Sequence, residues 1–435
     1  MKEKIKSAAL GLLVLTSLAL TYILWYGSPS HEFSQPIASE MIHFSSSRSL
    51  TDLITPDRVV FYPGDDVHHV FRPGQELFQV GVTLFKSSLQ ETVHVEPADA
   101  ETDINPERAG IRLDFPYPYP LEGQGGQEDS FFEITQFFLP LEGNEAWFIT
   151  SKGDYFLLRL GRVRHELLRR FSNAEELPPY RLADAEDLPP EIAVDFVRDI
   201  YLPLEKLSLP VQQWEQERFD LDRLLKVFFI DMSLVRRIEE KDGAVIYTDG
   251  QEGVRIYPDG AVEYTTAGSK EGILSGDQAL SLAGEIIALY GGWAPGVYLW
   301  APPGSEPVKD RQQLFFVPYA GGSPLVSSEG GISLTVSKRG AQSYFRNLMV
   351  PADEPLGVMT IVSGPAAFEL ALEYAHEEWG GEEKLPVHGF YLGYYLRDPL
   401  SELKQVVAAW FLEVEGLGLA VINAANGLPV TVLRY

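Results

Sequence analysis

The sequence predicts an α+β protein. An N-terminal transmembrane helix leads into a multi-module extracytoplasmic body whose C-terminal region holds two repeated helix-on-antiparallel-sheet modules. Three observations predict it: an unbroken apolar run at residues 8–26 behind three lysines, three Asp-Gly turns between alternating strands at 235–265, and a twice-used order of serine, helical pattern, Gly-Gly and strands.

The apolar run, AALGLLVLTSLALTYILWY, would span ~28 Å as a helix at about 1.5 Å per residue, close to the ~30 Å hydrocarbon core of a bilayer. Trp25 and Tyr26 fall where an interfacial aromatic belt belongs, and Lys2, Lys4 and Lys6 outnumber Glu3, which places residues 1–7 in the cytoplasm and everything after residue 26 outside. The competing reading is a cleaved secretory signal, which would release a secreted binding protein. Its apolar region usually runs only ~7–15 residues before small residues at the cut. Here the run is longer and ends in bulky side chains, so the expectation is an uncleaved single-pass anchor. Thr16, Ser17 and Thr21 are its small polar residues. With Leu13, Leu20 and Leu24 they form the face expected to meet partner helices, because small residues one turn apart allow close approach.

Composition bounds the rest. The chain has 435 residues, with 35 Lys plus Arg against 62 Asp plus Glu, a formal charge of −27. Nucleic acid and anionic lipid headgroups both need clustered cations, so neither is an expected partner of the body. The absence of cysteine excludes disulfides, thiolate metal sites, a cysteine nucleophile and a lipoprotein anchor.

Residues 27–48, polar and serine-rich, read as a linker. An N-terminal domain is expected at 49–175, with strands at 58–62, 69–71, 111–115, 131–139, 145–150 and 154–160. A helix is expected at 75–87. The Pro-Tyr alternation at 116–120 reads as an extended loop. The basic segment 162–171 closes the domain. A central domain at 176–270 is expected to hold helices at 191–199 and 218–229 and the Asp-Gly meander. The C-terminal domain, 271–435, carries the repeat. Ser275 and Ser363 are cap candidates, Gly291-Gly292 and Gly380-Gly381 are helix stops, and three strands follow in each copy, at 313–319, 331–337 and 341–346, then at 405–415, 419–423 and 428–434.

Readable chemistry is sparse. His68 and His69 lie near Asp65 and Asp66, but neighbours on a strand point to opposite faces, so no metal site is assigned. His376-Glu377-Glu378 lacks the second histidine of a zinc-protease helix. No nucleophile elbow, phosphate-cradling loop or matched acid–base pair appears, so catalytic and cofactor-binding residues are not assigned either. Trp293, Tyr298, Trp300, Tyr391, Tyr394 and Tyr395 are read as core, with a protein-binding surface as the other use of such rings.

The segment YTDGQEGVRIYPDGAVEY at 247–264, the Gly291-Gly292-Trp293 helix end and the 315–327 segment with its Gly-Gly-Ser-Pro turn resemble the YycH family, in an order that covers essentially the whole chain. The shorter sister family, YycI, would not account for the first 240 residues. The resemblance implies a non-enzymatic Gram-positive membrane protein that regulates a WalK (YycG) sensor histidine kinase, whose response regulator WalR controls cell-wall metabolism. It implies action together with a YycI-type partner through transmembrane contacts. It carries over no catalytic residue and no cofactor. An anchored extracytoplasmic cell-wall hydrolase, or a wall-component-binding protein, is the competing expectation.

Overall fold

The computed structural model describes residues 16, 17 and 44–434, apart from 65, 100–107, 123–130, 173–177, 219, 230, 268–273, 303–311, 339, 381–383 and 402–403. Two units result, 1–42 and 43–435. In the first, Thr16 and Ser17 are helical. Leu13, Leu20, Thr21, Leu24 and the rest of the expected span lie outside the described residues. Among the described residues, no helix is long and apolar enough to cross a membrane.

The second unit is α+β and mostly strand. Its N-terminal part is an antiparallel sheet of β1 (Arg58–Tyr62), β2 (His69–Phe71), β3 (Thr92–Pro97), β4 (Gly110–Glu122), β5 (Phe131–Pro140), β6 (Glu145–Thr150) and β7 (Tyr155–Leu160), in the order β2-β1-β4-β5-β6-β7-β3. A short α1 (Leu50–Leu53) precedes it. Helix α2 (Glu76–Gln90) buries Phe78, Leu84 and Phe85 along one stripe against this sheet. Gly81 lets it approach, since a Cβ there would lie 2.7 Å from Val59 Cγ1. Phe85 sits among Phe115, Tyr119 and Phe137 with ring centroids 4.8–5.0 Å away. The expected basic segment is α3 (His165–Ser172), whose Phe171 packs on Phe61 and Phe71.

The Pro-Tyr alternation is not a loop; it lies inside β4. Pairing with β5 jumps from Asp114 to Tyr119, and pairing with β1 stops at Asp114. Pro116 and Pro118 therefore sit where the ladder asks for no N–H, the place where a strand tolerates proline.

Both repeat copies form. In the first, α5 (Gly276–Leu289) crosses a sheet to which β17 (Val297–Trp300), β18 (Gln312–Ala320), β20 (Gly331–Ser337) and β21 (Gly340–Asn347) belong, paired in that sequence. In the second, α6 (Gly364–Trp379) crosses β24 (Leu385–Arg397), β25 (Gln405–Val414), β26 (Gly418–Asn423) and β27 (Pro429–Leu433). Sequence reading found three strands per copy and missed the opening one, β17 and β24, because aromatic side chains on both faces erase the alternation. β19 (Ser323–Val326) pairs antiparallel with β18 and parallel with β24, which fuses the two copies into one sheet. The meander, β13 (Arg236–Glu239), β14 (Val245–Thr248), β15 (Glu252–Ile256) and β16 (Val262–Thr266), extends that sheet through β16 and β21. Its Asp-Gly turns hold Gly243, Gly250 and Gly260 at φ of 88°, 96° and 93°. Helix α4 (Leu221–Phe228), capped by the Asp220 side chain, packs against it.

Residues 180–216 form a strap of short strands: β8 (Tyr180–Leu182), β9 (Val194–Phe196), β10 (Tyr201–Pro203), β11 (Ser208–Pro210) and β12 (Trp214–Gln216). β8 pairs with β10, β11 with β23 (Val358–Thr360), and β12 with β22 (Met349–Pro351). The helix expected at 191–199 is not formed. Its centre is β9, which adds a parallel strand to the edge of β24. Val194 and Phe196 suit a strand, and the β24 edge supplies the backbone partners that a lone two-turn helix would need from itself.

One core joins the N-terminal sheet to the α5 side of the first copy. A second lies between α6, its sheet and the strap. A third covers the opposite face of the fused sheet and holds Trp300, Tyr391 and Tyr395.

Candidate functional site: the dock of residues 44–48 and the ion network beneath the strap

Residues 44–48, the end of the expected linker, are seated on the first repeat copy. Phe44 N–H donates to Ala288 O at the end of α5 (3.1 Å), and Ser45 Oγ accepts from Trp293 N–H (3.0 Å). The Arg48 guanidinium lies 4.3 Å from the Trp293 ring centroid and donates to Val297 O (3.2 Å), while Arg223 stacks on Phe44 at 4.5 Å. Glycines make this closeness possible. A Cβ on Gly292 would sit 2.9 Å from Phe44 Cβ, and one on Gly284 would sit 3.2 Å from Arg48 O. Buried Arg346 fixes the same helix end. It donates to Gly292 O (2.8 Å) and forks onto both carboxylate oxygens of Glu217, just past the strap, at 2.8 Å.

The second feature lies between the N-terminal sheet and the strap. Arg58 and Asp114 are cross-strand partners on β1 and β4, and Arg112 is two residues from Asp114 on the same face. Asp114 is fully buried. Its carboxylate accepts from Arg58 Nε at 2.6 Å and lies 3.1 Å from Arg112 Nε. The strap completes the set. Arg112 reaches Asp199 Oδ2 and the Tyr201 hydroxyl, both at 2.7 Å, and Arg58 donates to Asp199 O at 2.8 Å. Arg198 forks onto Asp57 at 2.9 and 3.1 Å. Three arginines therefore face three aspartates. Burial acts to raise the Asp114 pKa, but Arg112, Arg58 and Arg198 overcome it and hold the carboxyl well below the usual range.

This network reaches the second repeat copy through β24 and β25. At the β24 bulge, His388 Nε2 lies 3.4 Å from Arg198 Nη1. Burial, then the Arg198 charge, pushes its pKa down to about 4, so the ring is neutral at pH 7. Buried Glu413 on β25 fills the space left by Gly389, where a Cβ would come within 2.5 Å of Glu413 Oε2. Burial raises the Glu413 carboxyl to about 7 against the lowering influence of Tyr391, Arg198 and Arg72. Arg72, from the loop before α2, stacks on Tyr391 at 4.8 Å. Each of these groups binds one part of the body to another.

The residues singled out from sequence land elsewhere. Of the anchor face, only Thr16 and Ser17 lie among the described residues. His68 stacks on Tyr62 and meets Tyr201 at a tilt, and His69 stacks on Phe61. Among the described residues, no group of three or more metal-ligating side chains converges. Trp300, Tyr391, Tyr394 and Tyr395 are buried and Trp293 and Tyr298 partly so, which makes these rings core. Sequence reading missed the ion network, although Arg112 and Asp114 are alternate charges inside an apolar strand, IRLDF, and a buried charge needs a buried partner.

Residues 3–123 match the family model described as "YycH protein, N-terminal domain". The chain is structurally similar to the crystal structure of YycH from Bacillus subtilis, with a TM-score of 0.63 and 14% sequence identity over 89% of this chain and 100% of that one. An uncharacterized protein from Eubacterium rectale aligns at a TM-score of 0.36 and 12% identity over 59% of this chain and 95% of that one, too loosely to bear on the fold. No match is found among curated proteins. Residues 3–123 thus resemble the YycH N-terminal domain, and the body has a fold similar to that of Bacillus subtilis YycH.

Proposed function

We propose that this chain is a non-enzymatic, membrane-anchored regulator of a WalK/YycG-type sensor histidine kinase, acting with a YycI-type partner through transmembrane and extracytoplasmic contacts. The observation that carries the reading is the match to the YycH N-terminal domain, which takes in the apolar run at 8–26 as well as β1 to β4 of the first sheet. In this reading the helix around Thr16 and Ser17 packs beside kinase helices and biases their two signalling arrangements. A coupling of ~1–3 kcal/mol would change kinase output several-fold to a hundredfold.

The dock supports a role for the body. Residues 44–48 are held by main-chain hydrogen bonds and two stacked arginines, so displacement of this segment strains the first repeat copy directly. A wall hydrolase would call for perturbed carboxylates lining an open pocket. Asp114 and Glu413 are instead buried, and Asp57 half-buried, against arginines and a tyrosine, an arrangement suited to rigidity.

The test is photocrosslinking in the native membrane, with a photoreactive residue at Ser17 and, as a control, at Leu18. A position-dependent crosslink to the kinase or the sister regulator is the expected outcome. Equal labelling by lipid at both positions would sink the transmembrane route.

A further inference from the structure

The face of the first repeat sheet turned away from α5 carries a cleft of about 230 Å³. Tyr344 and Arg346 point from β21 toward the end of α5, so Phe345 between them points the other way, into the cleft. The side walls are aromatic. Tyr257 meets Phe345 edge-on at 6.2 Å, and Trp300 meets Phe315 edge-on at 6.3 Å. Among the described residues, the charged side chains in the lining are Glu263 and Glu329, and the other polar ones facing the cleft are serines and Tyr257. The Tyr257 hydroxyl donates to Glu263 Oε2 at 2.7 Å, which fixes both groups at the rim. On the outside, Arg255 stacks on Tyr257 at 4.7 Å with its charge balanced by Glu240 and Asp242.

Size and charge narrow the occupant. The volume falls below the ~300–1,000 Å³ of pockets for drug-sized ligands, so it suits one side chain or one short aliphatic amine. An anion would face two carboxylates with no cation among the described lining residues, and a purely apolar group would strip water from both for no return. A cation gains from both carboxylates and from the ring faces. We propose that this cleft binds an alkylammonium group, presented by a peptide with a lysine-type side chain. The site is on the body and stands apart from the transmembrane reading, so either can fail alone.

The test titrates the purified full chain in detergent with Nα-acetyl-lysine methylamide and, as a neutral analogue that lacks only the ammonium group, Nα-acetyl-norleucine methylamide, read by calorimetry at low salt. The lysine probe should bind at least about tenfold more tightly than the norleucine one. That difference should vanish in the Glu263→Gln/Glu329→Gln double variant and shrink in Phe345→Leu, which removes the ring and keeps the apolar bulk. Circular dichroism and thermal melting confirm that the variants fold. Equal affinity for the two probes, undiminished lysine binding in the double variant, or no saturable binding would each overturn the assignment.

Discussion

Glu413→Gln isolates the energetic role of one buried carboxyl. Its pKa rises from 4.5 to about 7 in the folded protein, chiefly through burial. Each tenfold change in acid dissociation is worth about 1.4 kcal/mol, so native Glu413 destabilises the fold by ~3 kcal/mol once ionised. The sign follows from proton counting. Between pH 4.5 and 7 the native state holds a proton that the unfolded chain has lost, so this stability is full below pH 4.5 and falls as pH rises to 7. Glutamine keeps a neutral group of nearly the same shape and removes the loss. With ~2.1 cal/mol/K of unfolding entropy per residue over about 390 residues, 3 kcal/mol corresponds to a Tm change of ~4 °C. Scanning calorimetry from pH 4.5 to 8 should show the variant gaining ~4 °C on the wild type as pH rises. His388 titrates with the opposite sign, its neutral native form losing stability as pH falls from 6.5 toward 4, but both proteins carry it and it cancels in the difference. A Tm difference that does not change with pH would refute the argument.

Asp114→Asn should cost ~3–5 kcal/mol, seen as a lower urea midpoint, because buried Arg58 and half-buried Arg112 and Arg198 would keep their charges without the carboxylate between them. Ser275→Ala should cost ~1 kcal/mol, since Ser275 and Gln278 form a reciprocal capping box at the start of α5. Ser363→Ala should change the urea midpoint far less, since the Ser363 side chain makes no cap hydrogen bond to α6. Gly364→Ala should destabilise by ~1–3 kcal/mol despite the better helix former, because the new Cβ would lie 2.3 Å from Pro203 Cδ in the strap. Limited proteolysis of that variant should cut first within residues 180–216.

What was legible in the sequence was local. The Asp-Gly meander and both repeat helices depend on turn glycines and apolar periodicity within a few residues, and the structure places them within one to three residues of the expected bounds. What escaped notice depended on distant partners. Nothing near Val194 announces that β24 will offer it an edge, so an amphipathic nine-residue stretch read as helix. Arg58, Asp114 and Arg198 look like scattered charges until β1, β4 and the strap bring them within 4 Å. The aromatic strand β24 lost its period because Phe390 and Tyr394 serve one core and Tyr391 and Tyr395 another.

The strap also constrains how this protein is made. β9 leaves the ribosome about 190 residues before the β24 edge it pairs with, and Ile192, Ile200, Leu202, Leu209 and Trp214 belong to a core completed by strands that end near residue 424. At ~5–20 residues per second, those side chains wait ~10–40 s for their cover. Pairing over such separations is slow to close, so the newly made chain passes through a stage with an apolar ribbon exposed. Chains truncated before α6 would remain at that stage, which makes them ready substrates for chaperones and proteases.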